Sequence, residues 1–316
     1  MIDSRGEKLN FLQIGLGTNA TFIQNLAGNK KTHSRFLHWL FQLSTEHAQD
    51  KVTGIGVEPI AHLAEALLEV AVHLPRVQVL QKAIGDQDQQ GKDMFFLSKQ
   101  THDDLISKVQ AFRREELTQD LEYLCNMSCL GSEHPKMRST MDHIVAKYEI
   151  QDTSELCKFC TQKVDVWSWS TLVREFNFGG CEILLVDAEG SDAKILRSLV
   201  QHCKTNPTHW PEMIQFETMG HCDVLEGQGT ELRVLETLQG EGYKIITISE
   251  YNSIVIKASA IDKEEKWRNV VGEWYCSNCK GKWLTPFYET RDNILCQWCH
   301  KQQGRERVTS KPCQEG

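Results

Sequence analysis

Long hydrophobic runs are missing from this 316-residue sequence. No uninterrupted apolar stretch approaches the roughly 18 to 20 residues that span a bilayer. The polar start, MIDSRGEKLN, contains no apolar core of a secretory signal. We therefore expect no membrane partner and a location in the cytoplasm or the nucleus. In that reducing environment, the twelve cysteines are expected to bind metal or to pack as thiols rather than to form disulfides.

An excess of positive charge is also missing, because the formal net charge is -8. This balance argues against a protein that binds nucleic acid by broad neutralisation of phosphates. The charge is unevenly distributed, since residues 263–316 carry +3 and the rest of the chain carries -11. The difference marks the carboxyl-terminal residues as a separate module.

Internal repeats and low-complexity tracts are absent from the sequence as well. Short apolar segments instead alternate with amphipathic ones, which is typical of a parallel sheet with helices on both faces. The predicted strands include 51–60, 77–86, 181–190 and 212–218. A helix is predicted to follow Ser170 as its N-cap. We predict one α/β domain over residues 1–262, with an insertion at about 100–160 near the substrate side of the sheet.

The segment FLQIGLGTNA (11–20) predicts a strand that runs into a nucleotide-binding turn. Gly15, Gly17 and Ala20 have the G-x-G-x-x-A spacing of dinucleotide-binding proteins. The same residues also fit the glycine loop of S-adenosylmethionine-dependent methyltransferases, so the segment alone leaves the cofactor open. An acidic residue about 20 positions after the glycines would support NAD, but Glu58 lies 41 residues after Gly17. The spacing therefore disfavours an NAD-dependent oxidoreductase, which stays an alternative.

The chain resembles the FkbM-type class I methyltransferases in four segments: LQIGLGTN, GVEP, KAIGDQDQQG and ILLVDAEGSDAKILRSL. The resemblance covers about residues 9–258 and rests on the order and spacing of these segments. It implies a Rossmann-like class I methyltransferase fold, with a mostly parallel seven-stranded sheet and helices on both faces. It also implies S-adenosyl-L-methionine as the cofactor and O-methylation of a hydroxyl group on an acceptor whose identity stays open.

The resemblance also implies which residues bind the cofactor. They are Gln13, Gly15, Gly17, Asn19, Glu58, Ile84 and Asp86. The backbones of Gly15 and Gly17 would approach the methionine moiety, and Glu58 would hold the ribose hydroxyls. Asp86 and the backbone of Ile84 would contact the adenine. The alternatives are that Glu58 is a solvent-facing residue before a turn, and that AIGD is an ordinary strand-to-turn transition.

Three positions of the glycine loop depart from the family motif. Gln13 stands where an acidic residue is usual, Gly17 where Asn is frequent, and Asn19 where Gly is frequent. The Gln13 amide oxygen can accept a hydrogen bond from an ammonium group, but without the assistance of a charge. A catalytically weakened, methyltransferase-like scaffold is therefore another alternative.

Asp187 and Glu189 end the predicted strand 181–190, at the edge where open α/β sheets bind their ligands. A carboxylate at this edge can orient an acceptor hydroxyl or take its proton. Glu217, with His221 close by in sequence, is a third catalytic candidate. The structural alternative is that Asp187 or Ser191 only caps the helix that follows, with Gly190 required by the turn.

Two C-x2-C pairs, separated by sixteen residues, lie in the carboxyl-terminal module. The spacing predicts one structural Zn(2+) ion bound by Cys276, Cys279, Cys296 and Cys299. We predict a zinc ribbon over residues 270–304, followed by a flexible tail over 305–316. So short a module would not bury enough core to fold without the metal. The ribbon offers a contact surface for a protein or a nucleic acid.

Four further cysteines leave a second metal site open, because their spacing is irregular. They are Cys125, Cys129, Cys157 and Cys160. The sequence does not indicate the oligomeric state.

Overall fold

The computed structural model describes residues 9–15, 52–151, 159–248 and 252–263, apart from positions 73, 75, 177 and 179. It also describes the strands Val271–Tyr275 and Lys282–Pro286. Gly17, Asn19, Cys157 and the four predicted zinc ligands lie outside the described residues.

The elements are numbered here along the described chain. The strands are β1 (Leu9–Ile14), β2 (Val52–Val57), β3 (Val77–Leu80), β4 (Ala83–Gly85), β5 (Gln89–Phe96), β6 (Ser128–Leu130), β7 (Cys160–Ser168), β8 (Ile183–Val186), β9 (Met213–Glu217), β10 (Tyr243–Ile248), β11 (Asn252–Lys257), β12 (Val271–Tyr275) and β13 (Lys282–Pro286). The helices are α1 (Ala61–Ala71), α2 (Lys99–Ser107), α3 (Arg114–Asn126), α4 (Pro135–Tyr148), α5 (Trp169–Phe176), α6 (Asp192–Thr205), α7 (His221–Glu226), α8 (Thr230–Gly240) and α9 (Ala258–Lys263). None of these helices is long and apolar enough to cross a membrane.

The larger sheet contains seven strands in the order β10-β11-β9-β8-β1-β2-β3. Strands β1, β2, β3, β8 and β9 pair in parallel with one another. Strand β11 instead runs antiparallel to both of its neighbours, β9 and β10. A parallel sheet with one reversed strand inserted between its last two strands is the Rossmann-like class I methyltransferase arrangement, so the fold class predicted from the sequence is confirmed.

The core of the large sheet follows from its apolar central strands. All four residues of β8, Ile-Leu-Leu-Val, are buried, as expected for a strand that is covered on both faces. Leu172 of α5, Leu196 of α6 and Leu235 of α8 belong to the same buried cluster as the strand residues. Burial of each of these leucines contributes about 1.5–3 kcal/mol to the free energy of folding. These packed elements therefore hold the loops at the sheet edge in place.

The described residues between positions 83 and 168 form a second sheet with its own helices, which we call the accessory region. Its strands have the order β4-β7-β5-β6, and the pairs are antiparallel except for β4 with β7. Helices α3 and α4 contribute Leu117, Leu121 and Met137 to a separate buried cluster. The insertion predicted at about 100–160 lies within this region, which begins earlier in the sequence.

The predicted third strand, 77–86, is divided between the two sheets, so that single strand was wrong. Strand β3 is the edge of the large sheet, whereas β4 pairs with β7 in the accessory region. The break lies at Lys82, whose amide donates to the Leu80 carbonyl (3.1 Å). The Lys82 ammonium also donates to Asp165 of β7 (2.7 Å), which holds the chain against the second sheet.

The N-cap predicted at Ser170 was also wrong, because α5 begins one residue earlier. The Ser168 hydroxyl accepts from the Thr171 amide (3.3 Å), and the Asp88 carboxylate accepts from the Ser168 amide (2.6 Å). The Ser170 hydroxyl instead lies 3.0 Å from Nδ1 of His202 on α6. Ser168 therefore caps the helix, and its own amide is held by Asp88, which lies 80 positions away in the sequence. A local sequence pattern does not reveal that second contact.

Strands β12 and β13 form an antiparallel pair in the carboxyl-terminal module. Residues 276–281 connect them and include Cys276 and Cys279. The first cysteine pair of the predicted ribbon therefore follows directly after a strand.

Candidate functional site

The direction in which the large sheet grows reverses between the neighbouring strands β1 and β8. Strands β2 and β3 lie on one side of β1, and β8 and β9 lie on the other. Open α/β sheets bind ligands at the carboxyl edge of such a switch point, because the loops leave it in opposite directions. Gly15 follows β1 and Asp187 follows β8, and the Asp187 amide donates to the Ile14 carbonyl (2.9 Å). These two loops therefore mark the place where a ligand is expected.

Gly15 is required at this position by its contact with Asp187. Its φ angle is +77°, and a Cβ atom there would lie 1.6 Å from the Asp187 carbonyl oxygen. No side chain fits so short a separation, and a positive φ adds a further cost for any residue other than glycine. The Gly15 amide donates to the Val57 carbonyl (3.0 Å). The first glycine of the motif thus joins the ends of β1, β2 and β8.

A cleft of about 550 Å³, partly open to solvent, lies above these strand ends. Five of the residues predicted from the sequence line it: Gly15, Glu58, Ile84, Asp187 and Glu189. Leu63, Met94 and Leu130 contribute apolar walls, and Lys82 and Ser128 contribute polar groups. Both the large sheet and the accessory region therefore form the cleft.

Glu58 follows β2 at the floor of the cleft and is only 2% exposed. Its Oε1 atom accepts from the Ile60 amide (2.8 Å), and its own amide donates to the Leu80 carbonyl (3.0 Å). A buried carboxylate is costly unless hydrogen bonds compensate for the lost water. The alternative that Glu58 is a solvent-facing residue before a turn was therefore wrong.

Two other predicted cofactor residues do not line the cleft. Gln13 on β1 is 8% exposed, and its Oε1 atom has no hydrogen-bond partner among the described residues. Asp86 follows β4 with an exposed side chain, whereas Ile84 of that strand is buried and borders the cleft. The adenine contact predicted for this segment therefore depends more on Ile84 than on Asp86.

Three residues meet beside the cleft, and we call them the Glu-Glu-His centre. Glu189 lies in the turn after β8, Glu217 ends β9, and His221 begins α7. The Nδ1 atom of His221 lies 2.9 Å from Oε2 of Glu189 and 3.0 Å from Oε2 of Glu217. Glu189 adopts a left-handed backbone conformation, with φ of +49°, which aims its side chain back towards β9. The sequence placed two of these residues at strand ends but did not predict the direct contacts with His221.

The charges of this centre shift the pKa values of its members. Burial lowers the pKa of His221, but hydrogen bonds to Glu189 and Glu217 outweigh this effect and raise the pKa to about 10. Burial, followed by the charge of Glu217, raises the pKa of Glu189. The side chain of Asp187 is exposed at the cleft. The protein atoms around it still remove part of its hydration, and this desolvation, together with the charges of Glu217 and Glu189, raises its pKa well above the usual range. Carboxylates with raised pKa values are typical of functional sites.

Asp192, at the start of α6, holds the loop that carries Glu189. One carboxylate oxygen accepts from the amides of Ala188 and Gly190 (both 3.3 Å), and the other accepts from the Glu217 amide (3.4 Å). Burial and the charge of Glu217 raise the pKa of Asp192 to about 7, although the amide donors favour its ionised form. Asp192 thus fixes Glu189 and Glu217 relative to each other. The sequence did not single it out, because it has the ordinary position of an acidic residue at a helix start.

The accessory region covers the Glu-Glu-His centre from the other side. The ring of His134, the N-cap residue of α4, lies 5.1 Å from the His221 ring between centroids. Lys136 donates to the Met219 carbonyl (3.2 Å), which ties α4 to the loop before α7. Desolvation and the charges of nearby carboxylates, Glu189 first among them, raise the pKa of the Tyr123 phenol on α3. No local pattern in the sequence marks His134 or Tyr123 as a neighbour of His221.

The cysteines set apart in the sequence have separate positions in the fold. Cys129 is buried on β6, and desolvation raises the pKa of its thiol to about 11. Cys160 begins β7 and forms no disulfide with a described residue. Because Cys157 lies outside the described residues, the second metal site stays a prediction, as does the zinc ribbon.

Comparison with known proteins found similar structures but no similar sequences. No protein-family model matches the chain, and no curated protein matches it. Among solved structures, the chain is similar to fibrillarin of Aeropyrum pernix in complex with S-adenosyl-L-methionine, with 8% identity and a TM-score of 0.31 over 81% of this chain and 69% of that one. It is also similar to a chain of a fibrillarin/Nop5p complex, with 9% identity and a TM-score of 0.31 over 81% and 74% of the two chains.

Proposed function

We propose that this protein is an S-adenosylmethionine-dependent methyltransferase that methylates a hydroxyl oxygen of an acceptor. The observation that carries the proposal is the contact of Gly15 with the Asp187 carbonyl at the switch point, in a cleft that also contains Glu58. A glycine turn, an acidic residue at the next strand end and a second acidic loop are the parts that an adenosyl amino acid would need. The four segments that resemble FkbM-type methyltransferases contain these same residues.

In the proposed complex, the backbones of Gly15 and Gly17 lie against the methionine moiety. Gln13, whose buried Oε1 atom has no partner among the described residues, and Asn19 are the proposed polar contacts of its amino and carboxyl groups. Glu58 would accept hydrogen bonds from the ribose hydroxyls at the end of β2. Ile84 would pack on the adenine, and Asp86 would reach its edge only through a change of side-chain rotamer.

When bound, S-adenosylmethionine supplies a methyl group that is activated for transfer by its positively charged sulfur. The acceptor oxygen would attack the methyl carbon while the carbon–sulfur bond breaks and its electron pair stays on the sulfur. Asp187, which water reaches at the cleft, would take the proton of the acceptor hydroxyl on a carboxylate oxygen. Its raised pKa makes this carboxylate a stronger base than an ordinary aspartate. Glu189 lines the same wall and would orient the hydroxyl, with Glu217 behind it.

Calorimetric titration tests the cofactor part of the proposal. Wild-type protein should bind S-adenosylhomocysteine, and Glu58→Gln should weaken that binding by about 1.5–3 kcal/mol, because a hydrogen bond to a charged group is lost. Glu69→Gln, at an exposed position of α1, is the matched control and should bind like the wild type. Binding of NAD in place of S-adenosylhomocysteine would favour the oxidoreductase alternative. Binding of neither cofactor would favour the catalytically weakened scaffold. The presence of Gln13 in place of the usual acidic residue would then be the first explanation to test.

We also propose that Cys276, Cys279, Cys296 and Cys299 bind one structural Zn(2+) ion. Four thiolates complete a tetrahedral shell, so the ion would stabilise the ribbon and would not take part in the reaction. Elemental analysis should find one zinc per chain, and Cys276→Ser should lose it, whereas Cys203→Ser in the buried core should not. A wild-type protein without zinc would contradict this proposal. The net positive charge of this module suits a contact with an acidic protein surface or with nucleic acid.

A further inference from the structure

The Glu-Glu-His centre contains the donor atoms of a metal site that the methyl transfer itself does not require. The three atoms Oε2 of Glu189, Oε2 of Glu217 and Nδ1 of His221 all lie within 4.8 Å of one another. They come from three different loops that converge beside the cleft. We propose that this centre binds one divalent metal ion of the Mn²⁺ type, with these three residues as its protein ligands.

The separations between the donor atoms agree with an octahedral ion. Two ligands at right angles around an ion with bonds of about 2.1 Å lie about 3.0 Å apart. The observed distances from His221 Nδ1 to the two carboxylate oxygens are 2.9 Å and 3.0 Å. Each carboxylate oxygen therefore already lies at this separation from Nδ1, and the two carboxylate oxygens lie within 4.8 Å of each other.

Hydrogen bonding alone does not satisfy the centre. Nδ1 of His221 can carry only one proton, and that proton serves Glu217 (3.0 Å). Oε2 of Glu189 is buried and lies 2.9 Å from the same Nδ1, so it can only share that proton. His221 is 1% exposed, is aimed between the two carboxylates, and has a second buried nitrogen, Nε2, that lacks a partner among the described residues. Buried carboxylates that share one donor are incompletely satisfied, which is costly, and a cation between the two carboxylates would satisfy both.

The charge balance supports a cation as well. Four acidic side chains act on one another here, namely Asp187, Glu189, Asp192 and Glu217. The positive groups that influence Glu189 are His221 and, more weakly, Lys136. The acidic groups outnumber these positive groups, and a divalent ion would compensate the remaining negative charge.

The kind of ion follows from the donors. Ca²⁺ prefers shells made entirely of oxygen, whereas imidazole nitrogen together with carboxylate oxygen suits first-row transition ions. Mn²⁺ accepts both donor types and an octahedral shell, which leaves three positions for water or for an acceptor. Because Glu189 lines the cleft, an ion at this centre would border the acceptor side. That an acceptor oxygen occupies one of the open positions rests on the proposed function, but the metal site does not.

Mn²⁺ itself is the probe that tests the site, followed by electron paramagnetic resonance on the full chain. Titration of the wild type should remove the signal of free Mn²⁺ with one saturable site per chain. Glu189→Gln and Glu217→Gln should each weaken binding at least tenfold. Glu236→Gln, at an exposed position of α8, is the matched control and should leave the affinity unchanged. Absence of saturable binding in the wild type, or equal affinity in all three variants, would overturn the proposal.

Two further measurements keep the outcomes distinct. If Glu217→Gln fails to fold, as judged by circular dichroism, Glu189→Gln decides, because its side chain lies at the cleft wall. Calorimetry with S-adenosylhomocysteine is carried out on the same samples without metal. Mn²⁺ binding in a protein that does not bind S-adenosylhomocysteine would support the metal site and contradict the proposed function. The reverse result would support the proposed function and contradict the metal site.

Discussion

The large sheet and the accessory region differ in how they are built and in what they bring to the cleft. The strands β1, β2 and β8 are parallel and largely buried, and each ends in a loop that lines the cleft. In the accessory region, β5 and β7 carry many half-buried or exposed residues, and a separate cluster around Leu121 stabilises the helices. The acidic side chains come from the first unit, and both regions contribute to the apolar wall. If the proposed function holds, we expect the large sheet to carry the chemistry and the accessory region to help select the acceptor.

The largest effect is expected from a change at the switch point of the large sheet. Gly15→Ala should prevent folding or abolish binding of S-adenosylhomocysteine, because its Cβ atom would lie 1.6 Å from the Asp187 carbonyl oxygen. Gly91→Ala is the matched control in the accessory region, since Gly91 also has a positive φ but no atom within 4 Å of the added Cβ. This control should cost only about 1–2 kcal/mol. Urea denaturation of both variants checks the prediction, and equal losses of stability would contradict it.

The next effect concerns the chemical step. Asp187→Asn should reduce turnover about 10²- to 10⁴-fold, the usual contribution of a general base. The affinity for S-adenosylhomocysteine should stay nearly unchanged, because the proposed role of Asp187 is toward the acceptor. The measurement is a methylation assay with labelled S-adenosylmethionine, once an acceptor has been found, combined with calorimetry. Full activity of Asp187→Asn would show that positioning alone suffices at this residue.

A smaller effect is expected from the apolar wall of the accessory region. Leu130→Ala should raise KM for the acceptor about 10- to 200-fold, which corresponds to about 1–3 kcal/mol for removing apolar contacts in a pocket, with little change in kcat. Leu68→Ala, at an exposed position of α1, should leave both parameters unchanged. A fall in kcat without a change in KM would show that the accessory region takes part in the chemical step.

The smallest effect is expected at the solvated face of the accessory sheet. Lys163 and Asp93 form an ion pair of 2.8 Å with side chains that are 67% and 43% exposed. Such pairs contribute about 0–1 kcal/mol, so Lys163→Ala should leave the midpoint of urea denaturation nearly unchanged. A loss of several kcal/mol would show that this face is covered in the native protein.

The same two regions show how far sequence reasoning reached. The apolar run that contains β8 and the glycine turn at Gly15 are local patterns, because buried parallel strands and positive φ angles restrict the residues that fit. The fold class followed from such patterns, whereas Gly15, Glu58 and Ile84 of the cleft were named as cofactor residues through the resemblance to FkbM-type methyltransferases. His134 and His221 come together only through the packing of the accessory region on the large sheet, so their contact has no local signal. For the same reason, the division of 77–86 between two sheets was missed, since residues 83–85 take their strand partner from β7.

Hydrogen exchange with and without S-adenosylhomocysteine tests the central claim most directly. The account predicts slower exchange in peptides that cover the ends of β1, β2 and β8, around Gly15, Glu58 and Asp187. Peptides from the far helices of the accessory region should exchange as before, and NAD should protect none of these segments. Protection that is confined to the accessory region or to the carboxyl-terminal module, or the same protection with NAD, would contradict the assignment of the cleft as the cofactor site.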